Sequence, residues 1–233
     1  MLAPADGVRA LPAPDSPGGR YAIPGEADCR ACHEAAAVPV LGVSALQLSP
    51  DRDPLAPHAE PARTEHVDLR GLVARGLIRN LPTPLAEKAP RIAAATPTAR
   101  AALGYLHGNC GHCHNNAGPL APLDLALAQD TTQDTTQDTT NTRPSRLDDA
   151  IGAASRFRPN AAPGITQRIT PGRHDRSVLA LRMLSRDPLT QMPPLGTQII
   201  DPEGMALIAR WIDHDLQRPL KTHLRNPPEE STP

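Results

Sequence analysis

At 233 residues the chain is long enough for one large domain or two small ones. Its 24 basic and 25 acidic residues leave a net charge of −1, so no global field recruits nucleic acid or an anionic membrane surface. No apolar stretch is long enough to span a bilayer. Tyr21, Tyr105, Phe157 and Trp211 are the whole aromatic set. The core is therefore built of Ala and Leu or borrows apolar surface from a cofactor.

In chain order, residues 1–20 read as a flexible leader, with four prolines, three glycines and neither the basic nor the apolar region of an export signal. Residues 21–95 form a first region carrying Cys29-Arg-Ala-Cys32-His33. Within it, Leu69, Leu72, Val73 and Leu77 make an apolar stripe that predicts a helix over Glu65–Arg79. The Pro-rich stretch from Leu81 to Pro90 reads as a linker. A second region, 96–218, opens with Thr96 as cap and Pro97 in the first turn, predicting a helix over Thr98–His107. That helix delivers the chain into Cys110-Gly-His-Cys113-His114. Gln-Asp-Thr-Thr then repeats three times within 129–142, a polar insertion that cannot build a core and is expected to be disordered.

Further on, Val178, Leu179, Leu181 and Leu184 predict a short helix over Asp175–Ser185. The loop Gln191-Met192-Pro193-Pro194 follows. A last helix starts at Asp201 (cap) and Pro202 (first turn). It places Met205, Ile208, Ile212 and Leu216 on one face, with Trp211 beside them. Residues 219–233 read as a polar, Pro-rich tail.

The two C-x-x-C-H motifs consume every cysteine of the chain. This spacing is the signature of covalent c-type haem attachment. Two residues between the cysteines match the separation of the two haem vinyl groups, and the histidine after the second cysteine falls under the iron. The reading assigns Cys29 and Cys32, then Cys110 and Cys113, as anchors, with His33 and His114 as proximal iron ligands, and expects two covalent haems c. Met192 is the distal candidate for the second haem. A thioether is a neutral, soft ligand that raises the iron potential, and Pro193-Pro194 stiffens the loop presenting it. Met183 and Met205 fit apolar helix faces and read as core residues, with Met183 the second choice after Met192 as iron ligand.

A helix entering C-x-x-C-H, a Met-Pro-Pro loop and a final amphipathic helix with a tryptophan resemble the class I cytochrome c fold in their order. That resemblance implies that the first and last helices cross beside the haem and that Met192 closes the sixth iron position. Residues 21–29, 41–48 and 105–114, then Pro171-Gly172, Ser177-Val-Leu and Met192-Pro-Pro-Leu-Gly-Thr197, are also similar to bacterial dihaem c-type cytochromes, whose redox partners are mostly unassigned. The resemblance spans about residues 21–215. It implies a mostly α fold with long Pro-rich loops, in which the second cytochrome c-like domain is complete and the first partial. Members of that group usually carry extra sequence before the first motif, so the export signal is expected to lie upstream and the protein to be periplasmic.

No methionine follows the first motif before the linker, which leaves His58 and His66 as in-segment distal candidates for the first haem. His107 is placed to cap the end of its helix. His112 is expected to face solvent, and His174, His214 and His223 to be surface residues. The expected function is outer-sphere electron transfer between unknown donor and acceptor proteins, without enzymatic turnover. A dihaem peroxidase with an open first haem is the alternative, though no distal acid–base pair accompanies that motif. A zinc module would need its cysteine pairs to converge across the 77 residues between Cys32 and Cys110. A thiol–disulfide oxidoreductase would need strand–helix alternation that the chain lacks.

Overall fold

The computed structural model describes residues 4–36, 38–59, 63, 65–129 and 147–217. Nearly all of the 129–142 insertion, the 219–233 tail and His223 lie outside the described residues.

The segment read as a flexible leader carries a strand. β1 (Val8–Pro12) pairs antiparallel with β2 (Arg20–Ile23), in the register Val8 to Ile23 and Leu11 to Tyr21. The first motif then rides on a helix that apolar periodicity did not reveal, α1 (Glu26–His33). Polar chemistry sets it: Gly25 N–H donates to Asp28 Oδ2 (3.1 Å), and Arg30 pairs with Glu26 one turn away (2.7 Å).

The helix expected over Glu65–Arg79 is shorter, α2 (Leu69–Ala74). Asp68 caps it late by accepting from Gly71 N–H (2.8 Å). A Schellman turn ends it early: Gly76 N–H donates to Val73 O (2.9 Å) and Leu77 N–H to Leu72 O (3.0 Å). The stretch expected as a linker contains one short helix, α3 (Thr83–Glu87), whose Leu85 is buried.

α4 (Pro97–Cys110) begins where expected. Thr96 Oγ1 accepts from Ala99 N–H (2.9 Å), and the helix runs past His107 to the second motif's first cysteine. α5 (Val178–Leu184) is preceded by a 3-10 turn at His174–Arg176. α6 (Pro202–Arg210) is capped by Asp201, which accepts from Gly204 N–H (2.9 Å), and it continues into a π-helical turn, Trp211–Asp215.

The core lies in the second region. It joins Ala101, Ala102, Leu103 and Leu106 of α4 with Ala180 and Met183 of α5, and with Met205, Leu207, Ile208, Trp211 and Ile212 of the last helix. Leu106, Ile208 and Ile212 are essentially sealed, each a contribution of about 1.5–3 kcal/mol. The expected apolar face of the last helix is observed, with Leu216 at its half-buried end. α4 and α6 meet at Gly204, which lies directly against the Tyr105 ring.

The first region has little core of its own among the described residues, where its buried apolar side chains are Ala35, Leu69 and Leu85. Polar contacts hold it against the second region. Asp53 pairs with Arg100 (2.7 Å) in a site where both side chains are less than a fifth exposed. Within the first region itself, Ser49 Oγ donates to Pro90 O (2.7 Å), and Leu69 N–H donates to Leu48 O (2.8 Å).

Candidate cofactor site

α4 carries Cys110 to the edge of a cavity of about 320 Å³, within the range of ligand pockets. His114 and Met192 line the same cavity, together with Leu123, Leu125, Leu127, Val178, Leu179 and Met183. His114 is 6 % exposed, and its Nδ1 is buried with no hydrogen-bond partner. Burial holds its pKa below the ordinary value, and the nearby charges of Arg182, His112 and Arg168 push the same way. The ring is therefore neutral near pH 7, the form that ligates a metal. Burial also pushes the Cys110 thiol up to about 12.

The loop bearing Met192 is tied from within. Gln191, 8 % exposed, donates through Nε2 to the carbonyls of Pro193 (3.3 Å), Pro194 (3.2 Å) and Thr197 (3.4 Å). Thr197 Oγ1 donates to Pro193 O (3.0 Å), and Met192 N–H donates to Arg182 O of α5 (3.0 Å). Met183 and Met205 belong to the core and also reach the cavity wall.

Four arginines line this space, Arg156, Arg168, Arg182 and Arg186, beside one acid, Asp201. The last three arginines are tied by hydrogen bonds. Their hydrogen bonds run to backbone carbonyls. Arg168 donates to Leu123 and Asp124, Arg182 to Thr190 and Gln191, and Arg186 to Met183, Ser185 and Ile199. No described carboxylate pairs with them. Arg186 Nε is buried without a partner, and Arg182 stacks over the Phe157 ring (4.4 Å). Guanidinium groups without a carboxylate partner at an apolar cavity suit an apolar ligand that carries anionic groups. Sequence periodicity gave no hint of this set, because the arginines come from separate loops and α5.

The first motif is more open. Cys29 and His33 are exposed and Cys32 is half-buried. His33 Nδ1 lies 2.7 Å from Pro39 O. As a donor to that carbonyl it leaves Nε2 as the lone-pair nitrogen, the arrangement that orients metal-ligating histidines. Val38, Val40 and Val43 follow with exposed apolar side chains.

The two distal candidates fare differently. His58 is held at the start of α6, with Nε2 2.9 Å from Asp201 Oδ1 and Nδ1 3.6 Å from Glu203. Both ring nitrogens face carboxylates, which leaves none for an iron at the first motif. His66 is half-buried and precedes α2 rather than beginning it.

Two other histidines differ from expectation. His107 caps no helix end; its Nδ1 accepts from Gln129 N–H (3.0 Å) and its Nε2 lies 3.5 Å from Ser44 Oγ. His112 turns toward the first motif: one of its ring nitrogens and the Sγ atoms of Cys32 and Cys113 all lie within 4.8 Å of one another. Among the described residues this is the one group of three or more such ligands able to hold a metal, and it excludes Cys29 and Cys110. The four cysteines do not converge into a single zinc site. His174 contacts Asp213 (2.6 Å) at the surface.

The chain matches no protein-family model, no curated protein and no solved structure. No described helix is long and apolar enough to cross a membrane.

Proposed function

We propose that the chain is a periplasmic dihaem c-type cytochrome, mostly α-helical, that carries electrons between donor and acceptor proteins. One observation carries the reading: Cys110, His114 and Met192 line one apolar cavity, in which the His114 ring is neutral and its Nδ1 has no partner. Haem iron supplies a one-electron couple when bound. The chain's residues anchor, ligate and insulate it. Cys110 and Cys113 would form the thioether links, His114 would provide the imidazole, and Met192 a sulfur that favours reduced iron. Arg168, Arg182 and Arg186 would offer their charge to anionic groups of the porphyrin. The apolar wall would keep water from the iron and leave it to outer-sphere exchange. At the first motif Cys29, Cys32 and His33 take the equivalent roles, with Pro39 O orienting the imidazole.

The test is a visible spectrum and denatured mass of the chain exported from a host with haem-attachment machinery. Two covalently retained haems, and a weak sulfur-to-iron band in the oxidised form that Met192→Ala abolishes, support the carrier. Peroxide-dependent bleaching with a high-spin component would replace it with a peroxidase. Stoichiometric zinc and no covalent haem would overturn both.

A further inference from the structure

The motifs are separated by 76 residues, yet they touch. The Cys32 and Cys113 thiols, each the second cysteine of its motif, lie within 4.8 Å of each other and of the His112 ring. Cys113 Sγ also sits 3.8 Å from Ala31 O, inside the first motif.

Dedicated residues hold the contact in place. Asn115, directly after the second motif, donates through Nδ2 to Ala35 O (3.0 Å), two residues past the first. Its Oδ1 accepts from Ala117 N–H (2.9 Å) and Gly118 N–H (2.8 Å), which curls the following loop back onto the same carbonyl. A Cβ at position 118 would fall 2.1 Å from Ala35 O, so only glycine allows this approach. Ala35 itself is 2 % exposed. Two independently placed attachment sites would need none of this.

We infer that the two attachment sites form one joined pair meeting at Cys32 and Cys113, and that the centres they carry titrate as a coupled pair rather than independently. The inference rests on the dihaem reading. Each second cysteine would fix one edge of its porphyrin, so neighbouring sulfurs would bring the two attached edges together. An electron leaving one centre enters the other, so the exchange needs no further reactant. Each added electron changes the charge felt by the partner iron, and at short separation inside protein that interaction is weakly screened.

The test uses the full holoprotein with two haems verified by denatured mass. Microwave-power saturation of its electron paramagnetic resonance signals is compared between the fully oxidised and half-reduced states. The pair predicts that each oxidised signal relaxes at least several-fold faster when its neighbour is also oxidised. A second measurement compares the midpoint potential of the Met192-ligated centre with that in Cys29→Ala/Cys32→Ala/His33→Ala, which keeps only that haem; a shifted midpoint is expected. Asn115→Ala, which loosens the contact while leaving every attachment residue in place, should weaken the relaxation effect. Two haems by mass, with relaxation independent of the neighbour's state, would overturn the pairing and leave the cytochrome reading intact. Absence of covalent haem would instead overturn the reading beneath it.

Discussion

Gly204→Ala is the substitution whose sign is most diagnostic of how α4 and α6 cross. Alanine in a helix normally gains up to about 1 kcal/mol over glycine. Here its Cβ would fall 2.4 Å from Cζ and Oη of Tyr105 and 2.5 Å from Cε2. Carbon contacts are optimal at about 3.5–4.0 Å, so the ring must retreat by roughly 1 Å or more. Overpacking of this kind costs about 1–3 kcal/mol. The retreat also breaks the bond from Tyr105 Oη to Asp201 Oδ2 (2.9 Å), worth about 1.5–3 kcal/mol because its acceptor is charged. Less a propensity gain of about 1 kcal/mol, the net loss is about 1.5–5 kcal/mol. For a chain of this size that lowers Tm by roughly 3–20 °C, read by circular dichroism during heating. Adding Tyr105→Leu, which removes the ring end, should recover part of the loss. A Gly204→Ala protein that melts at or above the parent temperature would refute the crossing geometry.

The other predictions address the loop, the cavity charge and the contact between the regions. Gln191→Leu leaves three carbonyls without their shared donor; it should cost about 1–3 kcal/mol in urea unfolding and weaken the sulfur-to-iron band by freeing Met192. On the proposed reading, Arg182→Leu removes a cation of the cavity wall that would stabilise a reduced, less positive centre. It should lower that centre's midpoint by on the order of 1 kcal/mol per electron, discounted for partial exposure, and an unchanged or raised value in a redox titration would remove Arg182 from the site. The His58–Asp201 contact should have a pH window. The hydrogen bond and charge of Asp201 raise the His58 pKa above 6.5, so this stabilisation is complete below the unfolded value and is lost as pH rises through the folded one. Burial raises the Asp201 pKa, but bonds from Gly204, His58 and Tyr105 outweigh it and leave a net lowering. The carboxylate's share is therefore present above about 3.8 and lost as pH falls through the lowered value. Limited proteolysis around residue 58 should accelerate at alkaline pH in the parent protein and show no such rise in His58→Gln.

Where side-chain chemistry is local, the sequence was legible. Thr96-Pro97 and Asp201-Pro202 start their helices as expected, because cap and first-turn proline act within a few residues. Met192 reaches the cavity shared by His114, in the order expected of a helix, a motif and a loop. Helix lengths were less legible: the apolar stripe around Leu69 extends beyond α2, but backbone turns at Asp68 and Gly76 set its ends. α1 escaped notice because capping and the ion pairs of Arg30 with Glu26 and Glu34, not apolar periodicity, support it. His58, the arginines around the cavity and the Asn115–Ala35 bond depend on partners far along the chain, and no periodicity encodes such pairs.

The scarcity of buried apolar side chains in the first region bears on how the molecule comes apart. Free energy of opening follows buried contacts, and regions poor in them exchange and open before the rest. The stretch around the first motif should therefore detach as a sub-global unit while α4, α5 and α6 stay folded, and amide protection should fall into two tiers divided near residue 95. During synthesis the same imbalance delays it: the first motif emerges early but gains its supporting surface only once Arg100, Asn115 and Asp201 have been made. Seating of the amino-terminal half is then a late event, templated by a carboxy-terminal half already in place.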